Sequence, residues 1–259
     1  MVPKIIHYCW FGKKKKSKLI LDCIASWKKY LPDYEIIEWN ESNFNLDNSF
    51  SREMYANKKW AFVSDYARLK ILYENGGVYL DTDMMLIKSI NTVIENDFEC
   101  VLCAEDDDFI SCGFIACTAK NIFIKNCLEY YQDLPVEIKP IPQIITRIFQ
   151  DLFNYYESFD TVRFVNSTTI LPADYFYPLP LSERKNIKQY PSYISEQTIG
   201  VHLWNYSWEE MKPNENEYYY IDKKEYIKAI KIILYNIATL KIWKIRQYLG
   251  SIKSYIYFR

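Results

Sequence analysis

The sequence predicts an α/β fold built on a mostly parallel sheet. Three observations lead there. The first ninety residues alternate strand, helix, strand, helix, strand. The second of those helices stops at Asn75-Gly76-Gly77, and glycine suits the left-handed residue that ends a helix. The strand that follows, from Val78, is apolar and runs into Asp81-Thr82-Asp83. In sheets covered by helices, ligands sit beyond the carboxyl ends of the strands.

The elements read as follows. KIIHYCWF (Lys4 to Phe11) is short and β-rich. After a lysine cluster, Ile20, Cys23, Ile24 and Trp27 recur at helical spacing, and Leu31-Pro32-Asp33 ends that helix. YEIIEW (Tyr34 to Trp39) is a second strand, and Asn40 to Ser51 reads as polar loop. A helix then spans about Asn57 to Asn75, and VYLDTDMMLI reads as one strand. Further strands are expected at Phe98–Glu105, Ile110–Cys117 and Thr161–Val165, and helices at Ala119–Tyr131 and Pro142–Tyr156. A late strand, IGVHLW, precedes a tryptophan-rich loop. From Asp222 the pattern is helical, with Ile227, Ile230, Ile233 and Leu234 on one face. The chain therefore divides into a body, 1–221, and an extension, 222–259.

Composition narrows the function. The 259 residues suffice for one large domain, and no long apolar run suggests a transmembrane helix. The N-terminal MVPKIIHYCWFGKKKK lacks the layout of a signal peptide, which places the protein in the cytoplasm. Seven cysteines form no paired framework, as expected of reduced thiols. Cys100 and Cys103 make a CxxC, but on a strand positions three apart face opposite ways, so buried apolar cysteines are preferred over zinc. Basic charge is confined to the extension, with nine Lys/Arg against two acids in 222–259, so a nucleic-acid role is not supported. Neither a phosphate-binding glycine loop nor a serine-hydrolase elbow is present.

Asp81 and Asp83, two apart on a strand, should point the same way. Two carboxylates in one small space repel, and a divalent cation offsets that. Hard oxygen ligands suit Mg²⁺ or Mn²⁺, which commonly bridge to substrate phosphates. The alternative is a pair that simply ends a strand in water. On the preceding helix, Asp65 and Arg68 share a face with Ala61, Phe62, Leu69 and Leu72. A charged pair there is either a buried structural ion pair or faces a cleft. Of two histidines, His7 reads as a core position, whereas His202 could join Asp81 and Asp83 in a metal set.

KIIHYCWFG, SWKKYLPDYEIIEWNE, AFVSDYARLKILYENGGVYLDTDM and HLWNYSW together resemble the family 32 glycosyltransferases, DXD-containing sugar transferases of bacterial capsule and polysaccharide loci. The likeness covers roughly residues 1–90 and 200–208, and is loose over 100–195. The glucosylating domains of large clostridial toxins look like distant relatives, sharing W-x-G, S-D-x-x-R and Y-L-D-x-D elements. The resemblance implies a GT-A fold, a UDP-sugar donor, Mn²⁺ or Mg²⁺, and retention of anomeric configuration. It implies that Asp83 binds the metal, that Asp81 contacts the donor ribose and the metal shell, and that His202 is the third metal-site residue. Asp65 and Arg68 match the pair that holds the donor sugar. Trp10 matches a tryptophan stacked on uracil. Ser64 and Tyr79 match the donor pocket. Ser207 and Trp208 match a loop closing over the diphosphate.

No nucleophile is evident. Glu105-Asp106-Asp107-Asp108 reads as a solvated acidic loop that could line the acceptor side, and Gln143 as a sugar contact. Lys139-Pro140-Ile141-Pro142 stands where many family members have a glycine before a proline, which leaves the acceptor side open. The expected acceptor is a saccharide, including one carried on a lipid. The basic extension suggests contact with an anionic membrane, with packing on the acidic body as the alternative. Liposome flotation of the full chain against a 1–221 truncation decides between them: equal binding by both sinks the membrane contact. A non-catalytic nucleotide-sugar or glycan-binding protein is the competing function, and a degenerate binder would have lost some of these side chains.

Overall fold

The computed structural model describes residues 1–95, 98–132 and 140–205. Strands β1 (Ile5–Cys9) and β2 (Glu35–Trp39) pair in parallel and are joined by α1 (Lys18–Tyr30). The Ser17 side chain caps α1 by accepting from the Ile20 amide. The polar loop expected over 40–51 ends sooner. Asn48 accepts from the Ser51 amide and starts α2 (Ser49–Ala56), which buries Phe50 and Met54, one turn apart. Helix α3 (Trp60–Asn75) follows and stops at Gly76, φ 66°. At Gly77, φ 95°, a Cβ would stand 2.8 Å from the Ile5 carbonyl, so only glycine lets the chain turn here into the sheet.

What the sequence shows as one strand is two, β3 (Gly77–Leu80) and β4 (Met84–Leu86), divided by a turn at Asp81–Asp83. Beyond them lie α4 (Asn91–Ile94), β5 (Cys100–Ala104), β6 (Ile110–Cys117), α5 (Ile122–Tyr130), α6 (Ile141–Phe153), β7 (Arg163–Val165), β8 (Thr168–Leu171) and β9 (Gly200–His202). Strand β8 has no counterpart among the expected elements. It is the return arm of a hairpin that turns at Asn166, φ 52°.

The main sheet has seven strands in the order β2-β1-β3-β6-β5-β8-β7. The β1–β2, β1–β3 and β5–β8 pairs are parallel, and the β3–β6, β5–β6 and β7–β8 pairs antiparallel. Five strands thus run one way, and β6 and β7 the other. The carboxyl ends of β1, β3 and β5 share one edge of the sheet with the start of β6. Strand alternation sends Ile6, Tyr8, Val78 and Leu80 into one core cluster, where Trp27 of α1 packs edge-on to Tyr8. It sends Tyr79 to the other face, where Arg68 of α3 lies over the ring. Helices therefore cover both faces. All seven cysteines are free and buried, and Cys100 and Cys103 lie inside β5, as apolar packing requires and a zinc site does not.

Strand β4 leaves the main sheet and pairs with β9, placing Met84 opposite His202. Helix α1 fixes β4 from behind. The Trp27 indole donates to the Met84 carbonyl at 2.7 Å, and the Leu86 amide donates to the Ser26 hydroxyl at 2.9 Å.

His7 is fully buried, as a core position should be. The Trp39 indole donates to its Nδ1 at 3.1 Å, so Nε2 carries the proton and donates to the Gly76 carbonyl at 3.0 Å. Burial lowers the imidazole pKa to about 4, against the pull of the Gly76 bond. The unfolded chain takes up a proton near the ordinary value of about 6.5, which the native state refuses. Stability from His7 is therefore complete above that value and lost as pH falls toward 4, an effect of about 3 kcal/mol. Histidine NMR should show this ring titrating near pH 4, and a midpoint near its ordinary value would contradict the burial account.

Candidate active site

The acidic turn is held by the sheet on one side and by β4–β9 on the other. The Asp81 amide donates to the Gly113 carbonyl at 2.9 Å, and the Met84 amide to the Asp81 carbonyl at 2.9 Å. The two carboxylates converge through this tight turn rather than through strand alternation, which corrects the expected geometry. Asp83 is held from the other side. Its carbonyl accepts from the Leu203 amide at 3.0 Å, and its Oδ2 from the Asn205 amide at 2.7 Å. His202, across from Met84 on β9, brings Nε2 to 3.3 Å from Asp83 Oδ1 and 3.9 Å from Asp81 Oδ2. One ligand atom from each of Asp81, Asp83 and His202 lies within 4.8 Å of the others.

The electrostatics fit a cation. Burial disfavours charge on His202, yet Asp83, and then Asp81 and Glu105, outweigh it and raise the imidazole above its ordinary value. Burial likewise pushes the Asp83 carboxyl up, but the His202 charge and hydrogen bonds from His202 and Asn205 bring it below the usual carboxylate range. The carboxylates thus draw positive charge to this point, and a protonated ring supplies it. Two carboxylate oxygens and an imidazole nitrogen form a donor set suited to Mn²⁺ or Mg²⁺. The His202 ring meets Trp204 edge-on, centroids 4.4 Å apart, and lies tilted against Tyr177 at 5.2 Å.

Behind the turn stands Arg68. Its Nη1 donates to Asp81 Oδ1 at 3.1 Å and to the Cys112 carbonyl at 2.9 Å. Nη2 reaches Asp65 Oδ1 at 3.0 Å, and Nε the Ser64 carbonyl at 3.2 Å. The guanidinium carbon is 4.6 Å from the Tyr79 ring centre, and the Tyr79 hydroxyl donates to Asp81 Oδ1 at 3.1 Å. Burial works against the Arg68 charge, but Asp81 chief among its neighbours keeps it well above its usual range. Burial pushes the Asp65 carboxyl up to about 7 despite Arg68. So Asp65 and Arg68 are both buried, and Arg68 serves two carboxylates, one of them in the acidic turn.

Trp10 lies just past β1, beside a cleft of about 300 Å³ that it lines with Lys13, Glu38, Asn40, Glu41 and Ser42. Its indole donates to the Lys14 carbonyl at 2.7 Å, and Lys16 Nζ stands 5.2 Å from the ring. Both of these fix the ring at the cleft wall.

The structure thus brings together Asp65, Arg68, Tyr79, Asp81, Asp83 and His202, with the Ser64 backbone contributing. Trp10 stands at the neighbouring β1 end. Gln143 lies in α6, partly buried. Ser207, Trp208 and the 222–259 extension lie outside the described residues. Among the described residues, no helix is long and apolar enough to cross a membrane. Sequence reasoning missed Cys112, Gly113 and Tyr177. A Cβ on Gly113 would stand 2.8 Å from Asp81 Oδ2 and 2.7 Å from the Tyr177 hydroxyl, so this glycine makes room for the acidic turn. Nothing local in GFIAC signals that role, because it arises only when β6 pairs with β3.

The chain is 27% identical over 152 residues to the lactosylceramide 4-alpha-galactosyltransferase of Homo sapiens, covering 55% of this chain and 41% of that protein. It is 26% identical over 190 residues to the alpha-1,4-N-acetylglucosaminyltransferase of Homo sapiens, covering 69% of this chain and 50% of that one. The chain therefore spans about half, or less, of the length of these relatives. Among solved structures it is similar to the PaToxG glycosyltransferase, with a TM-score of 0.48 and 19% identity over 59% of this chain and 70% of that one. It is also similar to the galactosyltransferase LgtC, with a TM-score of 0.40 and 13% identity over 78% of this chain and 88% of that one. Residues 17–99 match the family described as glycosyltransferase sugar-binding region containing DXD motif, and the acidic pair of that motif is Asp81-Thr82-Asp83.

Proposed function

We propose that this chain is a GT-A-type, metal-dependent, retaining glycosyltransferase that moves a hexose from a UDP-sugar to a saccharide acceptor. The convergence of Asp81, Asp83 and His202 at the carboxyl edge of the sheet, beside the Trp10 cleft, carries the reading. The relatives' names support a galactose or N-acetylglucosamine donor and an alpha linkage. The resemblance to capsule-locus transferases supports a place in surface polysaccharide synthesis, at the inner face of a bacterial membrane.

Breaking the sugar–phosphate bond leaves a diphosphate with growing negative charge. A divalent cation bound there supplies Lewis-acid stabilisation of that leaving group. Asp81, Asp83 and His202 would hold it. Arg68 and the Tyr79 hydroxyl fix the Asp81 carboxylate, so its orientation exists before substrate arrives. Asn205 does the same for Asp83. Trp10 offers an aromatic face beside polar side chains for the uracil and ribose.

The test is a screen of UDP- and GDP-sugars with Mn²⁺, reading thermal shift and UDP release. One UDP-sugar should stabilise the protein and be slowly hydrolysed, both only with metal. A protein that no donor stabilises contradicts the reading. Gly113→Ala adds a check at the same site. Its methyl pushes on Asp81 and Tyr177, so the affinity for Mn²⁺ should fall by about 10–100-fold, as when supports of metal ligands are lost. Unchanged Mn²⁺ affinity would show that the turn tolerates the shift.

A further inference from the structure

Glu105 opens the acidic run after β5, yet it differs from the rest of that run. Asp106, Asp107 and Asp108 are exposed, and Asp106 turns onto its own loop, accepting from the Asp108 and Phe109 amides at 2.9 and 2.8 Å. Glu105 is partly buried. Its amide donates to the Phe109 carbonyl at 2.8 Å, closing the β5–β6 hairpin. The Ile110 amide donates to the Thr146 hydroxyl at 2.8 Å, which ties that hairpin to α6. The backbone at Glu105 is thus fixed. Its carboxyl, however, meets no hydrogen-bond donor and no cation within bonding distance among the described residues. It leaves β5 beside the start of β6, the strand that sets Cys112 and Gly113 against Arg68 and Asp81, and its charge acts on His202 and Cys112. Burial, and then Asp106, push the carboxyl up to about 8, with His202 pulling the other way. Glu105 is thus held at the mouth of the site, partly buried, with no hydrogen-bond or ionic partner for its carboxyl among the described residues, which is a mark of a functional group.

Its place along the sheet edge says what it meets. The order runs β1, β3, β6, β5. Trp10 follows β1, Asp81 follows β3 and Glu105 follows β5. Strands lie about 4.8 Å apart, so β5 stands roughly 10 Å beyond β3, on the side away from Trp10. A nucleoside diphosphate sugar is linear: base, ribose, diphosphate, sugar. With the base at Trp10 and the diphosphate at Asp81 and Asp83, the sugar reaches toward β6 and β5.

We propose that the Glu105 carboxyl binds a hydroxyl of the transferred sugar. The proposal rests on the UDP-sugar reading of the Asp81–Asp83–His202 cluster. A carboxyl accepts from a sugar hydroxyl when ionised and can also donate to one when protonated.

The test is calorimetric titration of the full chain, in Mn²⁺, with UDP and with UDP-galactose and UDP-N-acetylglucosamine. The tighter-binding sugar nucleotide is then titrated into Glu105→Ala and Glu105→Gln. Expected is UDP affinity unchanged within about twofold, with sugar-nucleotide affinity about tenfold or more weaker for the alanine and intermediate for the glutamine. The UDP titration doubles as the control for folding and for metal binding. Equal affinity of Glu105→Ala and wild type for the sugar nucleotide would overturn the proposal while leaving the UDP-sugar reading in place. So would a parallel loss of both ligands, because a defect in fold or metal site lowers the two together. Wild type that binds neither UDP nor either sugar nucleotide would overturn the reading itself, and this proposal with it.

Discussion

Asp83→Ala should abolish Mn²⁺-dependent UDP binding and leave the protein folded. Asp83 supplies two things, a ligand atom toward His202 and the acceptor for the Asn205 amide. Supports of a metal ligand typically cost about 10–100-fold in affinity when removed, so loss of a ligand itself should exceed about 100-fold. Folding should survive, because Asp83 and Asp81 repel each other until a cation or a protonated His202 offsets them. Isothermal calorimetry reads the loss of binding, and a melting curve without metal, within a few degrees of wild type, reads the fold.

Arg68→Met should be the most destabilising change near the site. Arg68 is nine-tenths or more buried and lies against both Asp65 and Asp81. Removing one member of a buried ionic group leaves the others uncompensated, at about 3–5 kcal/mol. For a chain of this size that is a fall in melting temperature of about 10 °C. Asp65→Asn in the same background should recover part of the loss, since it removes one of the two carboxylates left without a cation. A double variant no more stable than Arg68→Met would mean that the guanidinium acts through packing on Tyr79 instead.

Much of this was legible in the sequence. Helices α1 and α3 announce themselves through Ile20, Cys23 and Trp27, and through the Gly76-Gly77 stop. His7 reads correctly as core, because a lone histidine in an apolar strand needs only two partners, and Trp39 and Gly76 provide them. Apart from α2, what was missed follows from non-local structure. The signal for α2 was present, an Asn48 cap followed by Phe50 and Met54 one turn apart, but the polar residues between them hid it. The division of VYLDTDMMLI into two strands depends on β4 leaving the sheet to pair with β9, more than a hundred residues on. The acidic run after β5 reads from the sequence as a solvated loop that could line the acceptor side, with nothing to set one residue apart. Only pairing of β5 with β6 separates Glu105 from the three exposed aspartates beside it.

The most direct test of the metal-and-diphosphate account is a Mn²⁺ titration followed by electron paramagnetic resonance, with and without UDP, on wild type and Asp83→Ala. The account predicts one bound Mn²⁺ in wild type, held more tightly when UDP is present, and no such site in the variant. Mn²⁺ binding that ignores both UDP and Asp83, or no binding at all, would contradict it and leave Asp81, Asp83 and His202 as a structural ion cluster.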